Sequence, residues 1–449
     1  MRETPCDTIK IESTLIMKYI VTNIQFNAGV NHNLLRNILA FAKEHGVDGL
    51  LTFTQNGSYR DEDVIAKEVF EAGFVTIDSQ SLNQNLRLKD MKILAQQINP
   101  MTGMTTKLSR DYSYIMPSAK IRYLSVANTS TKPRAFMTTG NLTKPNYKLQ
   151  TAQGRKANEQ HQYGFVFVEV TGNKKFTTYQ VEATKKGDFH YLNERYVSGK
   201  KVMVQPEAIV LGDLHIGDTS KRAYAQSLDV IEELNPKLVV IHDLFNGHSI
   251  NPHEQDHLIA SLRNLKQHRH SLDKELKLVY REVMNLSERF PEIQFLVAES
   301  NHDIFLERYI DGKRFMEHPQ NFLHAIAMIP EILGGKKPTL QIGLELIGEL
   351  PENFHFAMED EEHRVRGVEL AYHGHRGLNG SRGSSASFDR YNFRMISGHE
   401  HSPKLYANGM VVGTLTRLRL PYTKGAGGWM HCNGILYRDG KYGLMPFVI

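Results

Sequence analysis

The chain has 449 residues, with 54 Lys and Arg against 49 Asp and Glu, 21 His and 2 Cys. Its length suggests two or three domains, and the 41% hydrophobic and 23% charged fractions exclude wholesale disorder. Cys6 and Cys432 are too few for a disulfide framework or an all-thiolate zinc site, and no run approaches the ~20 apolar residues of a membrane span.

Residues 1–16 mix both charge signs and lack a secretory signal pattern, and Met17 offers an alternative start. A cytoplasmic location is expected. The net charge of +5 names no partner. The histidines say more, because they gather in the second half.

In chain order, residues 18–23, 33–45 and 49–54 read as strand, helix and strand. Helices are expected at 61–72 and 86–98, the latter stopped by Asn99-Pro100. Residues 119–200 turn β-rich, and the runs 164–170 and 175–183 flank Thr171-Gly172-Asn173 as a hairpin would. From Pro206 the pattern becomes β-α-β-α-β: strands at 207–211, 237–241 and 293–298, a helix at 220–234, and a long amphipathic stretch from about 254 to 289. That stretch reads as a packed helix or helical hairpin, with self-association as one use for it. A division is expected at 205/206. The first part would be an accessory region, α/β over 17–115 and β-rich over 119–200, and residues 206–449 would be the catalytic domain.

Each of the three later strands ends in residues that bind metals: Asp213-Leu214-His215, His242-Asp243, and Asn301-His302-Asp303. Tyr372-His373-Gly374 and Gly398-His399-Glu400-His401 follow. In open α/β sheets functional groups collect beyond the carboxyl ends of strands, so these five segments can meet. Carboxylates mixed with neutral imidazoles suit Mn²⁺, Fe²⁺ or Zn²⁺. Two cations about 3.5–4 Å apart need a bridging carboxylate, and Asp243 is the natural one.

This ordered set resembles the calcineurin-like metallophosphoesterase superfamily over about residues 209–415. The resemblance implies an α/β (α+β) fold, a β-sandwich flanked by helices. It implies two divalent metal ions, Mn²⁺ first and Fe²⁺, Zn²⁺ or Mg²⁺ as alternatives. Asp213, His215, Asp243 and His401 would hold one ion; Asp243, Asn301, His373 and His399 would hold the other. His302 would serve the leaving oxygen, with Asp303 beside it. Two usual glycines are replaced, by His242 and Ser300, which requires a negative φ at both.

Asp243-Leu244-Phe245 is similar to DNA-repair nucleases of the SbcD kind, although Asn246 stands where their supporting His would be and His248 lies two residues on. Lys132, Arg134, Lys144, Tyr147, Lys148, Arg155 and Lys156 interleave with Thr138, Thr139, Asn141 and Thr143. Such a run could track a phosphate backbone or be a plain solvated loop. Its Thr-Thr-Gly and Thr-Lys-Pro-Asn-Tyr runs resemble phage-encoded, DNA-repair-exonuclease-like phosphoesterases, which implies DNA as partner and an infected cell's cytoplasm as location. The expected activity is a metal-dependent nuclease. The alternatives are a small-molecule phosphodiesterase or phosphomonoesterase, and a DNA-binding protein with a structural metal site. Near the start, Asn23 and Gln25 stand where Asp and His would stand in a degenerate copy of the first catalytic unit. Because strand–helix–strand is common, that echo carries little weight, and no metal ligation is expected there. Trp429, the only Trp, sits in a Gly-rich loop and reads as a base-stacking, interface or core residue.

Overall fold

The structure is a computed structural model that describes residues 15–55, 65–95, 97–129, 132–251, 257–420 and 423–447. The signal reading of residues 1–16 falls almost wholly outside these, as do residues 61–64 of one expected helix and 254–256 of the long amphipathic stretch. Among the described residues, no helix is long and apolar enough to cross a membrane.

The chain forms a mixed α/β structure with three sheets of eight, six and ten strands. Period-two alternation sets their layering. In the first strand, Ile16–Gln25, Ile20 and Ile24 pack with the helix His32–His45, while Val21 faces the opposite way. In Ala208–Val210, Ile209 packs toward helices and Val210 turns to the other side. Val21 and Val210 enter one core with Ile115, Met137, Ile396 and Met410 of the ten-stranded sheet. The ten-stranded sheet therefore covers the inner faces of the other two, and helices cover their outer faces.

The two halves repeat one topology. Strand Ile16–Gln25 pairs in parallel with Gly49–Gln55 and antiparallel with Tyr163–Thr171, whose hairpin partner is Lys175–Ala183. Strand Ala208–Val210 pairs in parallel with Leu238–Ile241 and antiparallel with Cys432–Leu436, whose hairpin partner is Tyr442–Pro446. A 14-residue helix joins the parallel pair in both halves: His32–His45, capped by Asn31, and Lys221–Leu234, capped by Ser220.

The ten-stranded sheet is symmetric about its centre, where Tyr123–Ser125 pairs antiparallel with Lys404–Leu405. Outward from that pair come Ala135–Thr138 and Gly409–Val411, then Ser113–Met116 and Arg394–Ser397, with identical pairing senses on both sides. The sequence follows suit: Met137-Thr-Thr-Gly-Asn-Leu-Thr143 matches Met410-Val-Val-Gly-Thr-Leu-Thr416. So do the bonds. Leu142 N donates to Asn23 O at 2.9 Å, and Leu415 N donates to Asp213 O at 2.8 Å.

One expectation is overturned, and the structure adds detail to two others. The described residues of 86–98 hold no helix; Leu86–Lys89 is a strand paired with Ser113–Met116, because an alternating Leu-Arg-Leu-Lys fits a pleated, half-buried surface. The long stretch is two helices, Leu258–Lys266 and Leu272–Arg289. The division at 205/206 is crossed by the ten-stranded sheet, which takes strands from both sides.

Candidate metal centre

Five strand ends deliver the site. Asp213 and His215 follow Ala208–Val210, Asp243 follows Leu238–Ile241, and Asn301 follows Gln294–Ala298. From the ten-stranded sheet, His373 follows Val368–Glu369, while His399 and His401 follow Arg394–Ser397. Donor atoms of Asp213, His215, Asp243 and His401 all lie within 4.8 Å of one another, and all four residues are buried. His401 Nε2 is 3.0 Å from Asp213 Oδ2 and 3.1 Å from His215 Nε2.

A second group adjoins the first through Asp243. Its Oδ2 is 3.2 Å from His215 Nε2 and 3.3 Å from His373 Nε2. Asn301 Oδ1 is 3.1 Å from His373 Nε2 and 3.0 Å from His399 Nδ1. All seven ligands expected from the sequence are thus brought together.

The backbone is strained to do so. His215, Asp243, His399 and His401 have φ of 46°, 48°, 73° and 56°, a region that costs a non-glycine residue about 1–3 kcal/mol. His242 and Ser300, at the two positions where glycine was expected, are not among the residues of positive φ, so both side chains are accommodated. Gly398 is required by space, since a Cβ there would lie 2.0 Å from Asp213 Oδ1.

The electrostatics fit a cation. Burial, and then Asp243, raises the Asp213 carboxyl. Burial pushes Asp243 the same way, but His373 and His215 hold it well below the usual range. Burial lowers His401 to about 3 and His399 to about 4, which leaves neutral imidazoles, the ligating form. Oδ1 of Asp213 and Oδ1 of Asp243 are buried without a hydrogen-bond partner. Burial lowers His215, but Asp243 and then Asp213 raise it on balance, so a divalent cation would take the place of its proton beside these orphaned carboxylate oxygens. The identity and number of ions are left open by this geometry.

His302 stands beside the cluster, its ring centroid 4.5 Å from that of His215. Its Nδ1 is 2.6 Å from the Asn246 carbonyl, which can only accept, so the proton is on Nδ1 and Nε2 is free. Asp303, expected beside it as a catalytic group, instead accepts from Ser300 N at 2.9 Å and braces the turn.

Around the centre, Asn246 and His248 both bind Asp218, at 3.2 and 3.0 Å, which sequence reasoning passed over. Arg269 adds a 3.0 Å contact, and Arg417 closes on the same carboxylate at 2.5 Å. Burial raises the Asp218 carboxyl, but His248 and the arginines hold it well below its usual range. The only signal was a carboxylate two residues after the His215-Ile216 pair. His375 pairs with Glu359 at 3.1 Å.

The expected nucleic-acid tract does not stay together. Arg134 is buried and donates to Asp111 O at 2.6 Å and to Asn85 Oδ1 at 3.1 Å. Tyr147 is bonded to Gln25 and His161, both at 3.0 Å, so it is not a free stacking ring. Thr138, Thr139, Asn141 and Thr143 are fully buried. Lys144, Lys148, Arg155 and Lys156 are exposed on the first half, and Lys132 is exposed elsewhere, facing Trp429 and Arg419 across a cavity.

The first half has a silent counterpart of the centre. Asn23 takes the place of Asp213 in the matched bond to Leu142, and its Nδ2 donates to Gln55 Oε1 at 3.1 Å. Lys120 stands four residues after the strand Ser113–Met116, as His401 stands four after Arg394–Ser397. Amides and an ammonium stand there in place of carboxylates and imidazoles.

No known family profile matches the chain. It is similar to Protein A1 of Escherichia phage T5, 25% identical over 462 residues that cover 96% of this chain and 82% of that protein. A phage relative spanning almost the whole chain and a buried Asp/His cluster fit for a cation are compatible with a phage-related, metal-dependent enzyme.

Proposed function

We propose that the chain is a two-metal phosphodiesterase of the calcineurin-like metallophosphoesterase kind that hydrolyses DNA in a phage-infected cell. The observation that carries this reading is the position of Asp243, whose Oδ2 is near-equidistant from His215 and His373 and so joins two donor groups. Two bound divalent cations would neutralise the phosphoryl oxygens and activate a water. Asp213, His215, Asp243 and His401 would hold one, and Asp243, Asn301, His373 and His399 the other, Mn²⁺ being the first expectation for these donors.

The chain's own residues do the rest. The Asn246 carbonyl fixes the Nδ1–H tautomer of His302, so Nε2 would first take up the proton given up by the attacking water and then deliver it to the leaving oxygen. The buried Asp218 ties Arg269, Arg417 and His248 into one network that holds the loop carrying Asn246. The left-handed conformations of His399 and His401 bring both rings to the cluster from alternate positions of one loop.

The test is digestion of end-labelled linear and closed circular DNA by purified protein with chelator, then with Mn²⁺ restored. Cleavage that needs the metal and is abolished in Asp243→Asn supports the reading; intact DNA of every form under those conditions overturns it. A second reading, a small-nucleotide phosphodiesterase, is favoured by a cleft of about 800 Å³ that borders His373. Turnover of a small aryl phosphodiester without DNA cleavage would select it.

A further inference from the structure

Charge is distributed unevenly on the two sides of the metal centre. The large cleft bordering His373 is lined by five carboxylates, Glu299, Glu307, Asp311, Glu359 and Asp360, against three fixed cations. On the His401 side the balance reverses. A cavity of about 210 Å³ is lined by Lys132, Arg419, Lys424 and Trp429, with no acidic residue in its wall. Lys132, Arg419 and Lys424 are exposed. The Trp429 and His401 ring centroids are 4.2 Å apart, so this cavity begins one ring away from a residue of the centre.

The cavity is held by both halves of the chain. Asn128 and Gly427 exchange backbone bonds of 3.1 and 3.0 Å, and Arg419 Nη1 donates to Gly425 O at 2.9 Å, which shapes the loop that carries Lys424 and Trp429. A second cavity of about 220 Å³ shares Lys132 and continues to Lys174 and Lys175, both exposed. The result is a positive track with one aromatic ring at the end nearest the centre.

We propose that this track is the subsite for a polynucleotide with unpaired bases: a base stacks on Trp429, and the backbone phosphates run over Lys424 and Lys132 toward Lys174 and Lys175. The inference rests on the phosphodiesterase reading and deepens it by naming single-stranded or frayed DNA as the form engaged. Aromatic stacking with phosphate neutralisation is how unpaired strands are held without sequence readout. The acidic cleft opposite would repel a polyanion, so approach is confined to the Trp429 side.

Trp429 is the chain's sole Trp, and its emission therefore reports on the subsite directly. The full chain, kept in chelator so that nothing is cut, is titrated with a single-stranded oligothymidylate, and binding is followed in parallel by anisotropy of a labelled copy. Saturable quenching that tracks the anisotropy is expected, with little quenching by an abasic oligomer of equal length. Lys132→Ala with Lys424→Ala should weaken binding about ten-fold at fixed low salt and reduce the salt slope by about 1.4, the share of two phosphates on a single strand. Binding with unchanged emission and an unchanged slope overturns the subsite, as does quenching by the abasic oligomer to the same extent. Absence of any binding overturns it too. Metal-dependent cleavage, scored separately, decides whether the phosphodiesterase reading stands without it.

Discussion

Gly398 and Asp213 approach so closely that a single added methyl group at Gly398 would sit 2.0 Å from the Asp213 carboxylate. The glycine is thus part of how the centre is assembled, although it binds nothing. Gly398→Ala should leave a folded protein with divalent-metal affinity reduced about 10–100-fold, the range seen when support around ligands is disturbed. Calorimetric titration with Mn²⁺, beside a far-UV spectrum that confirms folding, checks it. Unchanged affinity would contradict the geometry.

His302 stands beside the cluster, its ring centroid 4.5 Å from that of His215, and the phosphodiesterase reading gives it the leaving oxygen rather than a metal. His302→Ala should lower kcat by about 10²–10⁴ while Mn²⁺ affinity stays within a few-fold. Single-turnover cleavage with metal titration separates the two quantities, and a parallel loss of both would make His302 a structural support of the centre.

Asp218 is a buried carboxylate with two arginines and a histidine around it. Arg269 and Arg417 keep part of their surface in water, so loss of Asp218 costs less than the ~3–5 kcal/mol of a fully buried pair, yet Asp218→Ala should still lower the denaturant midpoint. Its folded-state acidity is increased, so its contribution is complete above the unfolded carboxylate value of about 3.9 and fades as pH falls through and below that value. The stability gap between wild type and Asp218→Ala should therefore narrow from pH 5 toward pH 2.

Lys120 titrates the other way. Burial lowers it to about 8, and Arg122 and Lys156 add to the effect. Between about 8 and the unfolded value of about 10.4 the unfolded chain binds the extra proton, so wild-type stability gains with rising pH in that window. Below it the cost of the buried charge is constant. Lys120→Met removes the titration, and the difference in stability between variant and wild type should shift toward wild type from pH 8 to pH 10. A pH-independent difference would place the ammonium in water.

The silent half predicts a stoichiometry. Asn23→Ala and Gln25→Ala should leave the number of bound Mn²⁺ ions per chain unchanged, whereas Asp243→Asn should abolish tight binding. Metal analysis of the three proteins by mass spectrometry decides it.

The ligand set was legible because each member sits within five residues of a strand end, where apolar runs stop and the motif is short. Asp218 was not, because its meaning lies in Arg269 and Arg417, partners 51 and 199 positions away. The Thr138–Thr143 run looked like a solvated, substrate-facing tract. In the fold its hydroxyls tie the loop to the first strand, as when Thr143 Oγ1 accepts from Gln25 N at 2.9 Å, and they are buried for that reason. Leu86–Lys89 was misread as helical because its strand partner lies in a different segment, 113–116. The duplication was faint because one copy carries amides where the other carries the cluster; the matched backbone bonds of Asn23 and Asp213 persist although their side chains differ.

The pairing of Leu124 with Lys404 lies three residues beyond His401. The copy without the cluster therefore acts as a jig: its central strand clamps the very segment from which the other copy extends two of its imidazoles. Severing the chain near residue 206 would leave that segment at a raw sheet edge, open to pairing with other chains. The half that carries amides in place of the cluster still holds its neighbour's loop in position.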